Sequence, residues 1–276
     1  MLQDAVKPRG LYSLRLSARG DSYRGALPGG TRGEAWQRPD GVVVLRAEDE
    51  DGLRLLRFML ALGDDHVEFV RRFRSDPLLG RSIRELQGLR PLRLATVTQA
   101  VVRAVCGQLI EARRARALER AVARACGDAT PTREQVGSLS PAELRRLGLA
   151  TARASTLVRL CRSVDLERLR ELPLEAVEAR LLRERGIGPW SLGVIGLEGL
   201  GSYRYGLVGD LGLIKLCSAL RGRWVEGWET AELLAPYEEW AGLAGVYFMR
   251  GWAAGLVPGA SSDRARRIRV DARRAA

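Results

Sequence analysis

Two features of the chain have residue types and spacing suited to chemistry. The first is Gly186-Ile187-Gly188, which stands between two helical patterns and runs straight into Pro189-Trp190-Ser191. Two glycines around one apolar residue make a tight helix–helix hairpin in which φ can be positive and another backbone can approach closely. The N–H groups there and at the start of the next helix point outward, which suits an anion. Pro189 fits the first helical turn, where its missing N–H costs nothing. The same residues also suit an ordinary tight turn between packed helices. The second feature is Asp210, an isolated carboxylate in the apolar, glycine-rich stretch RERGIGPWSLGVIGLEGLGSYRYGLVGDLGLIKL. It directly precedes LGLIKL and reads as the N-cap of that helix. It reads equally as a partly buried carboxylate held ionised by the helix N-terminus. The two readings are compatible, since one oxygen can cap while the other faces a cleft.

Other chemistries find little support. His66 is the single histidine, between Asp65 and Val67, and its acidic helix-start neighbourhood reads as surface. Cys106, Cys126, Cys161 and Cys217 are spaced too widely for a zinc or iron–sulfur pattern, and three lie in apolar helical runs that suit buried thiols. The formal net charge of +12 suits a polyanion, nucleic acid first. Of the 45 basic residues only Lys7 and Lys215 are lysines, a bias that composition alone can also produce. The N-terminus MLQDAVKPRG has no apolar signal region, and Glu198, Arg204 and Asp210 interrupt the longest apolar stretch. The expectation is a soluble, intracellular, cytoplasmic and nucleoid-associated protein with no membrane association.

The elements that must position these residues are mostly helical. Residues 11–47 read as strand and turn: LYSLRLS alternates, LPGGTRG is a turn, and DGVVVLRA is a β-branched strand. From about Asp51 the period becomes helical, in LRLLRFMLAL and HVEFVRRF, and Asp76-Pro77 opens the next piece. LATVTQAVVRAVCGQLI, residues 94–110, predicts a central helix buried on most sides. Gln108 near its end then needs hydrogen-bond partners or faces a cavity. Residues 111–126 form a basic helix with Arg113, Arg116, Arg120 and Arg124 along one side, which suits either DNA or plain solvent. Ser140-Pro141-Ala142-Glu143 is a helix start, and that helix ends at Gly148. ARASTLVRLCRSV is the next helix, and Leu172-Pro173 starts another. Gly193, Gly196 and Gly199 recur at helical spacing and imply another helix packed closely on that face. Residues 232–255 read as helix, rich in aromatics. The division expected is an N-terminal α+β domain over 1–85, a helical region over 86–258 and a basic, mobile tail over 259–276.

Taken together, LLRERGIGPWS and VGDLGL resemble the helix–hairpin–helix DNA glycosylases with a catalytic aspartate, and are most similar to the 3-methyladenine DNA glycosylase II branch. Three further pieces agree in order: VCGQLI at Val105, LSPAELRRLGL followed by ARASTL, and YFMRGW at Tyr247. The resemblance covers roughly residues 40–255. It implies a mostly α fold with a small N-terminal antiparallel β domain. It implies Asp210 as catalytic carboxylate, and Trp190, Tyr247 and Gln108 at the base pocket. Leu109 would be the wedge that fills the gap left by a flipped nucleotide. Arg185, Gly186, Ile187, Gly188 and Ser191 would hold a DNA phosphate. No cofactor is required, though the hairpin carbonyls would bind a monovalent cation, sodium or potassium. The partner implied is double-stranded DNA containing damaged bases, bound by a monomer.

Two departures refine this. Arg185 stands where the family has proline before the first hairpin glycine. Trp190 stands where the lyase branch has its lysine, so no Schiff base can form from that position and a monofunctional hydrolase is expected. The activity implied is release of alkylated purines of the 3-methyladenine and 7-methylguanine type, by base flipping and an Asp-stabilised sugar cation. An oxidised-purine glycosylase and a non-catalytic DNA-binding protein are the alternatives.

Overall fold

The computed structural model describes residues 2–6, 22–108, 110–261 and 268. Four antiparallel strands, β1 (Leu2–Val6), β2 (Ser22–Ala26), β3 (Arg32–Gln37) and β4 (Val43–Ala47), form one sheet in the order β1-β4-β3-β2. The register sets Glu34 between Arg24 and Arg46, an opposite-charge row across three strands. Ala35, Val43, Leu45 and Ala47 alternate onto the inner face, where Leu53, Leu56 and Met59 of α1 (Glu50–Met59) cover them. DGVVVLRA is β4, as its pattern predicts; LYSLRLS lies outside the described residues, and β1 to β3 add to what the pattern announced.

Helices build the rest: α2 (Val67–Phe73), α3 (Gly80–Glu85), α4 (Val97–Gly107), α5 (Ala112–Ala125), α6 (Arg133–Ser138), α7 (Pro141–Arg146), α8 (Thr151–Ser163) and α9 (Leu174–Leu182). After the hairpin come α10 (Pro189–Val194), α11 (Leu211–Arg221), α12 (Thr230–Leu234) and α13 (Ala241–Ala253). Capping chemistry sets several starts. Thr96 with Gln99 and Ser140 with Glu143 form reciprocal capping boxes at α4 and α7. The continuous helix expected over 232–255 is broken, because Pro236 and a positive φ of 44° at Glu238 interrupt it between α12 and α13. Among the described residues no helix is long and apolar enough to cross a membrane.

Two cores flank the site. One joins α4 through α10, with Val97, Val101 and Val105 wholly buried along one face of α4. The other joins Phe69, Phe73, Leu79 and Ile83 to Leu213, Leu216, Tyr247 and Phe248, so helices on both sides of residue 85 share it. His66 is a correction to the surface reading: it is 8% exposed, and its Nε2 lies 2.9 Å from the Tyr203 hydroxyl. Asp64 beside it binds Arg93 and Tyr203, so three distant segments close over the ring.

Candidate active site

The hairpin forms because α9 ends at Leu182, with Arg183 as its C-cap, and Gly186 adopts a φ of 95°, which side chains rarely tolerate. A Cβ at Gly186 would also sit 2.6 Å from Thr156 Oγ1, so the position is closed to other residues twice over. Gly188 differs: its φ of −117° is ordinary and a Cβ there would meet nothing, which leaves the backbone bare toward solvent. Ile187 between them is 6% exposed and anchors the turn in the α4–α10 core, while Arg185 stays exposed. Pro189 opens α10 at its first turn, as its position predicts.

Gln108 finds the partners a half-buried amide requires. Its Nε2 donates to the Gly186 carbonyl at 2.7 Å and to Ser191 Oγ at 2.9 Å, tying the end of α4 to the hairpin. Ser191 is 2% exposed, and its hydroxyl accepts from Gln108. The Arg185 carbonyl accepts from Thr156 Oγ1 at 2.9 Å and from Arg159 Nη2 at 2.6 Å. With a guanidinium and two further donors already on the Arg185 and Gly186 carbonyls, these two oxygens fit a monovalent cation poorly. Leu109 lies outside the described residues.

Asp210 is half-buried at the N-terminus of α11. Its Oδ1 accepts from the N–H of Gly212 at 2.8 Å and of Leu213 at 3.4 Å, the cap that the sequence suggests. Its Oδ2 accepts from Trp190 Nε1 at 3.2 Å. Trp190 is in turn held against the end of α4, where a Cβ on Gly107 would come 2.7 Å from its ring. The first residue after the hairpin proline and the isolated aspartate therefore meet directly. From behind, the Gly209 N–H donates to Thr230 Oγ1 at 2.8 Å, and Thr230 itself donates to the Gly227 carbonyl.

Tyr247 corrects the pocket assignment. Its side chain is wholly buried, its ring centroid is 5.3 Å from that of Phe69, and its hydroxyl donates to the Leu86 carbonyl at 3.4 Å. It is a core residue and lines no opening. From α13, Met249 packs its thioether against Gly212, two residues after Asp210, so closely that a Cβ there would lie 2.7 Å from its sulfur. Thr230 and Met249 carry no signal of their own in the sequence; the VGDLGL match locates Asp210 but not what packs around it.

The glycines at 193, 196 and 199 have separate causes. A Cβ at Gly199 would sit 2.7 Å from Ala100 Cβ, the close helix contact expected. At Gly193 it would strike the Gly206 carbonyl, and at Gly196 the Tyr205 ring, so those two make room for the loop that leads to Asp210. This stretch continues α10 as a π-helical segment, Ile195–Leu200, closed by Gly201 with φ 74°.

No family model matches the chain. It is 25% identical over 218 residues to the DNA-3-methyladenine glycosylase of Bacillus subtilis strain 168, covering 73% of this chain and 72% of that protein. The 3-methyladenine DNA-glycosylase of Archaeoglobus fulgidus superposes with a TM-score of 0.76 at 19% identity, over 91% of this chain and 98% of that one. The 8-oxoguanine glycosylase/lyase of Clostridium acetobutylicum, in complex with double-stranded DNA, gives 0.69 at 18% identity, over 86% and 87%. The chain has the fold of DNA glycosylases, and by sequence it is similar to a DNA-3-methyladenine glycosylase.

Proposed function

We propose that the protein is a monofunctional DNA glycosylase that hydrolyses the N-glycosidic bond of alkylated purines. The observation that carries this reading is the half-buried Asp210 carboxylate, fixed by the α11 N–H groups on one oxygen and by the Trp190 indole on the other. Breaking the bond to the base leaves positive charge on the sugar, and the electron pair departs with the purine. A carboxylate already fixed in place stabilises that charge without reorganising. Water then adds to the sugar carbon and gives up a proton to solvent, which leaves a neutral hydroxyl on the sugar. An alkylated purine is cationic before it leaves, so it needs no general acid; His66, buried against Tyr203, offers none. The Trp190 face suits a cationic, electron-poor ring. Such a base must leave the stack to reach the carboxylate, which costs least for damaged pairs. The hairpin backbone at Gly188 is bare enough for a phosphate to approach.

The reading is tested with methylated duplex DNA, by measuring release of 3-methyladenine and 7-methylguanine. Release of both supports it. Excision of oxidised guanine with little methylated purine released would assign the oxidised-purine alternative, and salt-dependent DNA binding without release from any lesion would assign a binding protein.

A further inference from the structure

Many of the described arginines face an acid. Arg54, Arg71, Arg72, Arg103, Arg159, Arg180, Arg204, Arg221 and Arg223 all form ion pairs. Three of those that form no ion pair come together. Arg114 of α5 and Arg145 and Arg146 of α7 are exposed, and none forms an ion pair among the described residues. With Gly148 and Thr151 they line an open cleft of about 680 Å³. Glu143 is a neighbouring acid: one of its oxygens takes the Ser140 N–H and hydroxyl in the capping box, and Arg146 lies near enough to help hold the carboxyl below its usual range. The cleft is built on a fixed base: Leu118 of α5 packs beneath Gly148, whose φ of 103° turns the chain from α7 into α8.

The cleft does not contain Asp210, yet α8 connects it to the hairpin. Thr151 lines the cleft at the start of α8, and Arg159 at the far end of the same stripe donates to the Arg185 carbonyl. Thr151, Ser155 and Arg159 lie four residues apart on one side, none of them buried. Eight residues of helix rise about 12 Å, which corresponds to roughly three to four nucleotides along one DNA strand at about 3.4 Å each. We infer that the Arg114–Arg145–Arg146 cleft is a second phosphate-backbone site, distinct from the hairpin, which holds the same DNA molecule a few nucleotides away. This rests on the DNA-binding part of the function proposed above and not on base release.

The test uses an undamaged duplex and its single strand, binding the full-length protein and the R145A/R146A variant by fluorescence anisotropy across salt concentrations. The control is R54A/R71A, which removes the same formal charge from a different surface. Loss of two phosphate contacts makes the log–log salt slope shallower by about 1.8. The variant's binding deficit then shrinks about tenfold between 50 and 200 mM salt. A deficit confined to duplex assigns the cleft to the strand the hairpin does not hold, and an equal deficit on single-stranded DNA assigns it to the same strand. Both support the site. A slope equal to wild type, or a deficit no larger than the control's, overturns it while leaving the glycosylase reading intact. Wild type that binds neither DNA would sink both.

Discussion

Trp190 Nε1 donates to Asp210 Oδ2 at 3.2 Å, so the residue that follows the hairpin proline orients the carboxylate proposed to act on the sugar. A hydrogen bond to a charged group is worth about 1.5–3 kcal/mol. Trp190→Phe keeps an aromatic face and removes that donor. Its single-turnover rate of base release is expected to fall about tenfold to hundredfold, with affinity for undamaged duplex unchanged. An unchanged rate would mean that the indole does not orient Asp210.

The same position bears on reaction type. Trp190 has no amine, and Lys215 lies beyond Asp210 inside α11. Damaged DNA incubated with the protein is expected to keep its phosphodiester backbone intact until hot alkali is added. A covalent complex trapped by borohydride would contradict this.

Gln108 holds α4 to the hairpin through Gly186 and Ser191. Gln108→Ala is expected to lower stability by about 1 kcal/mol and to weaken duplex binding several-fold, read by thermal melting and by anisotropy. Gly193→Ala drives a methyl into the Gly206 carbonyl and is expected to cost about 1–3 kcal/mol. Chemical denaturation of the two variants separates a local hairpin effect from a packing effect.

How much of this could be read in advance follows from what kind of signal each feature leaves. The hairpin, the Asp210 cap and the Ser140–Glu143 box are local, so neighbouring residues in the chain announce them. Tyr247 and Met249 are different. The helix AGLAGVYFMRGWA is apolar on nearly every side, so its pattern does not say which face meets Asp210. The structure turns Tyr247 to the core and Met249 to the site. His66 likewise looks exposed from its acidic neighbours, and it is Tyr203 and Trp240, far away in sequence, that pack against it. The bond between Trp190 and Asp210 depends on how α10 and α11 pack, which no local pattern encodes.

Acid sensitivity is expected from Glu229. Hydrogen bonding to Arg223 foremost, then to the Glu226 N–H, lowers its carboxyl from 4.5 to about 2. Its stabilisation is therefore complete above about pH 4.5 and lost as pH falls toward about 2. Glu229 immediately precedes Thr230, which holds Gly209 behind Asp210. Glu229→Gln is expected to melt lower than wild type at pH 6 and to lose less on moving to pH 3. Parallel melting curves for the two proteins across that range would contradict the assignment.

The most direct measurement is single-turnover release of 3-methyladenine and 7-methylguanine from methylated duplex by wild type and by Asp210→Asn. Asparagine can still cap α11 through its one oxygen, but its amide nitrogen cannot accept from Trp190, and it carries no charge to set against the sugar cation. The expected result is release by wild type and a loss of at least about 100-fold in the variant, with duplex affinity retained. Full activity in Asp210→Asn would contradict the central role given to this carboxylate.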